Sequence, residues 1–432
     1  MEGYGPLAVA TDASIEQLRV GLSKFFSLAS GLANVSDEIV DTATAELAGR
    51  STVFLTRRSQ RPALFDYQAD LVQQVLRSLE NGSSGLLSLP TGGGKTRTGV
   101  VACLEGFAER IIGNLIWLAP TRELVEQAQA TFLQMWREHG QCPDIQLSRG
   151  FSVPVGNAVC VTTPQEVYQR IRNHSPLGAW DAVVFDEAHQ LGARTYELAV
   201  QSLRTAGHAP DGRIAGLVGL SATPGRSDEG ETENLVDLFD GRLLTSSILG
   251  ANPVSTLQRR GVLARLEFRS LTQRNVEVSD EVARLRIAVK ACESLAAQGR
   301  RVLVFCQSVA GAECLAEALT GIGIPSTTVS AQTPTLERLA RLSAFGSGQV
   351  SVLTNQRLLA TGYDCPAVSD VLILGPVGSP ILFEQIVGRA ARGPRTGGSS
   401  VSRVWDFDDH RSKFGLPSSY YRYRDYEWSS EG

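Results

Sequence analysis

The chain has 432 residues, 43% of them apolar and 20% charged, and 41 basic against 45 acidic side chains leave a net charge of −4. That length suggests two to three domains, and the composition excludes a disordered chain, a coiled coil and a small disulfide scaffold. Because the mean charge is mildly acidic, a polyanionic partner would need a locally basic surface. No stretch reaches the roughly 18–20 apolar residues that span a bilayer, and the N-terminus lacks the basic and apolar regions of a secretory signal. Seven cysteines without a C-x-x-C pair argue against a disulfide framework and a structural zinc site. The expected location is cytoplasmic, with no membrane partner.

Residues 1–55 read as a short N-terminal helical extension. Ser14 with Gln17 has the spacing of a capping box, and Ile15, Leu18, Leu22, Phe25, Phe26 and Ala29 recur at helical intervals. A second, weaker helix follows Ser36. From 56 to 225 short β-branched runs alternate with amphipathic helices. Strands are predicted at 85–89, 114–118, 158–162, 182–185 and 214–220, with helices at 121–138 and 164–172. Alternation of this kind gives a parallel sheet covered on both faces. Residues 226–280 are polar and acidic at their start and read as an inter-domain connection. The pattern restarts over 281–415, with strands at 301–306, 326–329, 350–354, 371–374 and 401–407. An aromatic, polar tail fills 416–432.

The run 88–96, SLPTGGGKT, follows a predicted strand and opens a predicted helix, which is the context a phosphate-binding loop requires. Gly92, Gly93 and Gly94 let the backbone curl so that its amides face phosphate oxygens, and the helix start adds partial positive charge. Lys95 is placed for the β- and γ-phosphates, and the Thr96 hydroxyl for Mg²⁺. Leu89 stands where the general pattern has glycine. After the apolar run 182–185 come Asp186, Glu187, Ala188 and His189. Two carboxylates at the end of a buried parallel strand stand where open α/β sheets bind ligands. Asp186 suits a metal held through water, and Glu187 suits activation of the attacking water. The stretch 406–410, DFDDH, ends a predicted strand and reads as a solvated acidic turn rather than a metal site.

Together these motifs resemble the superfamily-two helicases, on their DEAH-box branch, where the loop is written P-T-G-x-G-K-T and Leu89 is normal. Further blocks follow in order. Residues 119–124 resemble motif Ia, 162–164 motif Ib, and Ser221-Ala222-Thr223 motif III. The continuation Pro224-Gly225-Arg226 resembles DNA-directed members such as restriction translocase subunits and excision-repair helicases. Residues 302–307 resemble motif IV, and Thr354 with 360–366 motif V. Gln385-Ile386-Val387-Gly388-Arg389-Ala390-Ala391-Arg392 matches motif VI.

The resemblance implies two tandem RecA-like parallel-sheet domains with ATP and Mg²⁺ between them. It assigns Thr91, Gly92, Gly93, Gly94, Lys95, Thr96, Gly362 and Asp364 to the nucleotide, and Thr96 and Asp186 to the metal. Gln68, after Tyr67, resembles the family's adenine-reading glutamine, with Phe65 in place of the usual arginine. Glu187, His189 and Gln385 are the catalytic candidates of the resemblance, with Arg389 and Arg392 as arginine fingers. Thr121, Arg122, Thr163, Gln307 and Thr354 match positions that touch a nucleic-acid backbone. Thr361 replaces the usual glutamate of motif V. The activity implied is an ATP-dependent helicase or translocase, on DNA rather than RNA. Alternatives are an ATP-switched clamp or remodelling subunit of a larger complex, and an RNA helicase. A protein partner is conceivable through the N-terminal helices or the tail.

Overall fold

The computed structural model describes residues 52–55, 63–139, 142–206, 214–225, 229–271, 280–360, 362–407 and 410–414. The predicted N-terminal helices, Arg226, Thr361, Asp408, Asp409 and the tail lie outside these residues. Among the described residues the chain builds two sheets. The strands of the first are β1 (Thr52–Leu55), β2 (Ser84–Ser88), β3 (Asn114–Leu118), β4 (Ile145–Arg149), β5 (Ala158–Thr162), β6 (Ala182–Asp186), β7 (Gly216–Ser221) and β8 (Leu243–Leu244). Their spatial order is β1-β4-β5-β3-β6-β7-β2-β8, and only the β1–β4 pair is antiparallel. The second sheet holds β9 (Arg265–Ser270), β10 (Val302–Phe305), β11 (Ser326–Val329), β12 (Val352–Asn355), β13 (Asp370–Ile373) and β14 (Val401–Asp406). It is parallel throughout, in the order β11-β12-β10-β13-β14-β9.

Both faces of each sheet are covered, so the central strands are apolar at every position rather than at alternate ones. Along β3, Leu115 and Trp117 enter one core while Ile116 and Leu118 enter the other. On β6 the same parity divides Ala182 and Val184 from Val183 and Phe185. In the second sheet Leu303 and Phe305 face one core, and Val302 and Val304 the opposite one. No described helix is long and apolar enough to cross a membrane.

Strands β1, β4, β8 and β9 are absent from the sequence reading. The stretch read as a connection, 226–280, feeds both sheets: β8 lies beside β2, and β9 edges the second sheet beside β14. The helix Arg122–Glu138 starts one residue later than predicted because Thr121 is its N-cap, accepting the Leu124 N–H at 3.3 Å. The acidic turn after β14 is partly structural. His410 is buried, its Nδ1 lies 3.0 Å from both carboxylate oxygens of Asp406, and its Nε2 accepts the Val377 N–H at 2.9 Å.

A parallel sheet sends every strand out of the same edge. In the first sheet the phosphate loop leaves β2, the Ser221-Ala222-Thr223 segment ends β7, the acidic box ends β6, motif Ia follows β3 and motif Ib follows β5. Along that edge the nucleotide motifs gather on β2, β7 and β6, and the candidate strand-binding motifs gather on β3, β5 and β4.

The second sheet is stapled by one fully buried carboxylate. Asp370 accepts hydrogen bonds from Arg300 Nε, from Ser369 Oγ at 2.9 Å and from Trp405 Nε1 at 2.9 Å, tying β13 to β14 and to the approach to β10. Removing the carboxylate leaves a largely buried guanidinium unpaired. Asp370→Ala should therefore destabilise the chain by about 3–5 kcal/mol, read as a lowered urea midpoint. A midpoint at the wild-type value would show that solvent replaces the carboxylate.

Candidate active site and nucleic-acid face

The phosphate loop is a backbone cradle propped by two side chains. Gly92 and Gly94 both adopt φ +89°, a conformation that costs only glycine nothing. Gly94 caps the helix Lys95–Ala108, so free helix-start amides open onto the loop. Tyr67 Oη donates to the Gly93 carbonyl at 3.0 Å, and Gln68 Nε2 approaches the same oxygen at 3.4 Å. Gln68 Oε1 accepts the Phe65 N–H at 3.1 Å. A Cβ added to Gly94 would stand 2.4 Å from Gln68 Nε2. Gln68 is thus a buried strut of the loop, with one donor and one lone pair of its amide already engaged.

The acidic box faces this loop. Thr96 Oγ1 reaches Asp186 Oδ2 at 3.4 Å, and Asp186 Oδ1 accepts the Glu187 N–H at 3.0 Å. Burial, then the neighbouring Glu187 charge, push the Asp186 carboxyl up to about 7, against the pull of Lys95. Burial also lowers the Lys95 ammonium, while Glu187 and Asp186 oppose that shift. Glu187 holds φ +52°, a strained backbone for a residue with a side chain and one that concentrates at functional sites. Its carboxylate lies 3.4 Å from His189 Nδ1, which also stands 3.3 Å from Ser221 Oγ. Ser221 Oγ donates to the Thr223 carbonyl at 2.8 Å. His189 therefore bridges Glu187 and the Ser221-Ala222-Thr223 turn.

The second sheet delivers the opposite wall. A Cβ added to Gly92 would stand 2.6 Å from Arg392 Nη1, and one added to Gly388 would stand 2.2 Å from Thr91 Cγ2. The two glycines are where the two domains close onto the same loop. Arg392 Nε and Nη2 bind Asp364 at 3.0 and 2.9 Å. Its Nη1 is buried and has no hydrogen-bond partner among the described residues. That orphaned cationic donor, beside the cradle and Lys95, is the observation that fits a phosphate group. Arg389, the other arginine finger that the resemblance implies, is held differently. Its Nε and Nη2 donate to the Ala360 carbonyl at 3.1 and 2.9 Å, and Nη1 to that of Tyr363. It is anchored on its own domain's motif V loop, and burial followed by the Arg392 charge lowers its pKa to about 10. Gln385 stands half-buried on the helix Pro380–Gly388 that leads to both arginines. Gly362, with φ +72°, packs on Glu123 and Leu124 of the first domain rather than on the phosphate loop.

Two further ties carry no motif in the sequence. The Arg395 guanidinium lies 4.6 Å over the Phe65 ring, which stacks on Tyr67. Arg260 pairs with Asp66 and lies 5.6 Å over Tyr67. Neither arginine lies in a block whose spacing marks it, so only the fold brings them to the base side of the loop.

On the other half of the edge a groove of about 690 Å³ is lined by Pro120, Arg122, Arg149, Phe151, Thr163 and Arg170 among others. Thr163, like Thr121, caps its helix, accepting the Glu166 N–H at 3.2 Å. Arg149 ends β4, next to β5, and the Arg170 guanidinium is held by the Pro176 carbonyl at 2.9 Å and lies 4.4 Å over Phe151. Arg149 was missed because its nearness to Thr163 depends on strand order, whereas Arg170 lies two turns along the helix that Thr163 caps. Gln307 is exposed after β10 and stands at a separate small cavity. Thr354 is not a surface contact. It is fully buried on β12, where its hydroxyl donates to the Ala312 carbonyl at 2.7 Å, beneath the helix Val309–Gly321.

Two family profiles match in tandem: type III restriction enzyme, res subunit, over residues 61–226, and helicase conserved C-terminal domain over 284–394. The Saccharomyces cerevisiae protein named "Putative ATP-dependent helicase IRC3" is 23% identical over 359 residues, covering 77% of this chain and 50% of its own length. The chain thus spans half the length of that relative. A fragment of an HsdR subunit of a type I restriction enzyme from Vibrio vulnificus YJ016 superposes with a TM-score of 0.58 at 19% identity, over 82% of this chain and 66% of that one. Saccharomyces cerevisiae Dbp5 bound to RNA and ADP BeF3 gives a TM-score of 0.56 at 17% identity, over 85% and 93%. The chain carries the two tandem domains of a superfamily-two helicase, the first of them of the restriction-subunit family.

The contact between Gly388 and Thr91 can be tested directly. Gly388→Ala should force the second domain off the loop and reduce nucleotide turnover roughly 10- to 100-fold, with the circular-dichroism melt unchanged. Wild-type turnover would show that the two domains need not close at this point.

Proposed function

We propose that the chain is an ATP-driven helicase or translocase that moves along a nucleic-acid strand, with DNA as its track. The observation that carries this is the buried, unpartnered Arg392 Nη1 lying against Gly92 of the other domain. A guanidinium there is permanently charged and planar, so it stabilises charge on the transferring phosphoryl group only when the domains are together. Hydrolysis is thereby linked to closure. The DNA assignment is supported by the restriction-subunit profile and the HsdR likeness, against which stands the RNA-bound Dbp5. A second reading is an ATP-switched clamp or remodelling subunit of a larger assembly.

Glu187 is placed to take a proton from the attacking water as its oxygen bonds to the γ-phosphorus. The bond to the bridging oxygen breaks, and ADP leaves as the other product. Lys95 and Arg392 balance the phosphate charge. Mg²⁺, when bound, would neutralise phosphate oxygens, with Thr96 and Asp186 to hold it. His189 keeps the Glu187 carboxylate oriented. Domain closure and release then alternate the grip on the strand, which crosses the β3, β5 and β4 end of the same edge.

Steady-state ATPase activity should be low alone and rise at least about 10-fold with the true track, compared among single-stranded DNA, duplex DNA and RNA at fixed salt, because backbone affinity falls steeply with salt. Stimulation by RNA alone would reassign the track, and stimulation by none would favour the assembly-dependent reading. Lys95→Ala should lose productive ATP binding. Glu187→Gln should retain binding, cut turnover by roughly 10² to 10⁴ and remain trapped on the strand in a filter-binding assay.

A further inference from the structure

The start of the helix Arg122–Glu138 borders two hollows, and Arg122 lines both. The first is the groove described above. Three arginines line it against one carboxylate, that of Glu166, which already accepts the Phe151 N–H at 3.1 Å and the Thr162 hydroxyl. This groove suits phosphates. The second hollow, about 280 Å³, lies between the domains, away from the phosphate loop. The arginines and glutamates of its lining, Arg122 and Arg338 against Glu123 and Glu126, balance in formal charge, and Glu123 pairs across the domains with Arg338 at 3.0 Å. Gln127 adds a polar group from the first domain, and the facing wall from the second is mainly apolar, with Leu339, Leu342, Leu358, Leu359 and Tyr363. Leu339 is 53% exposed there, and Leu336, one turn earlier on the helix Thr335–Ser347, is 55% exposed.

A hollow whose charges balance and whose facing wall is leucine attracts a phosphate less than the arginine-lined groove does. It does suit a flat, weakly polar ring, and the strand that lays phosphates on the adjoining groove brings such rings with it. The volume falls just below the range of about 300–1,000 Å³ that encloses drug-sized ligands, the scale of one nucleobase with part of its sugar. We infer that the hollow between Arg122 and Glu123 on one side and Leu339 and Tyr363 on the other receives a single unpaired nucleobase of the bound strand. The inference rests on the nucleic-acid reading above and adds a base contact to a grip otherwise made to the backbone. Stacking on leucine and tyrosine reads no base edge, so the contact is tolerant of sequence. Both domains build the hollow, and Gly362 packs directly on Glu123 at its margin, so the grip on the base changes as the domains approach and part.

The test uses the full chain with panels of single-stranded DNA and RNA oligonucleotides, each carrying one abasic site at a successive position, titrated at fixed salt. Wild type should bind one position of the panel about 5-fold or more weakly and the others nearly as well as the intact strand. Leu339→Trp fills the hollow from an exposed position, so folding is spared. With this variant the panel should become flat, and the intact strand should bind as the sensitive abasic strand does to wild type. Leu339→Ala should retain the sensitive position at reduced contrast. A flat panel with wild type overturns the inference, as does equal weakening of intact and abasic strands by Leu339→Trp. A chain that binds no strand at all overturns the nucleic-acid reading itself, and this inference falls with it.

Discussion

The whole arrangement turns on how closely two separately folded sheets approach one six-residue loop. At Gly92 and Gly388 there is no room for a single added carbon, because Arg392 and Thr91 already occupy that space. Interdomain contacts of this tightness are unusual between bodies that must also separate, since interiors tolerate little change of volume. The contact combines glycine, threonine and a guanidinium with the Leu263 side chain, whose methyl would stand 2.7 Å from a Cβ added to Gly92. Leu257, Val262, Leu263 and Ala391 belong to the same apolar cluster as the first domain's core. The heavier ties, Arg395 on Phe65, Arg260 on Asp66 and Arg338 on Glu123, are polar or cation–π contacts of the kind that re-form in water at small cost.

Electrostatics gives the closed cleft its purpose. Lys95, Arg389 and Arg392 converge on Asp186, Glu187 and Asp364 within a largely buried volume. The formal charges balance, yet the pairing is uneven. Asp364 takes two nitrogens of Arg392, Arg389 is spent on neutral carbonyls, and Asp186 and Glu187 crowd each other. Arg392 Nη1, the Lys95 ammonium and two crowded carboxylates are left at the loop. A polyphosphate relieves the cationic groups and a divalent cation the carboxylates, so the site's unfavourable charges describe the two groups it is shaped for.

Much of this was legible in the sequence because it depends on local order. Strands such as 114–118 and 158–162 are apolar on both faces, and the loop and box carry their chemistry in consecutive residues. What was not legible depends on parity and on strand neighbours. Thr354 matched a spacing but lies on the face of β12 shared with Val352, under a helix, and shifting one place along a strand reverses which side a residue faces. Strand β9, with the sequence RLEFRS, is a half-exposed edge strand whose charged residues hide its pairing with β14. Strand β8 is two residues long and has no pattern to detect. Arg149 reaches the groove only because β4 lies beside β5, which lies beside β3.

That strand order also explains why hydrolysis can be felt by a bound strand. The acidic box ends β6, and motif Ia leaves β3, its hydrogen-bonded neighbour, so the two chemistries are one strand apart on a rigid sheet. His189 links the box to the end of β7 on the other side. The first domain thus carries both sets of motifs on one sheet. In the second domain Arg389, which follows the helix Pro380–Gly388, donates to the Ala360 and Tyr363 carbonyls. Gly362 rests on Glu123 beside motif Ia, while Arg392 rests on Gly92 of the phosphate loop. A displacement of the second domain would alter both contacts together, which is the coupling that the proposed motor needs.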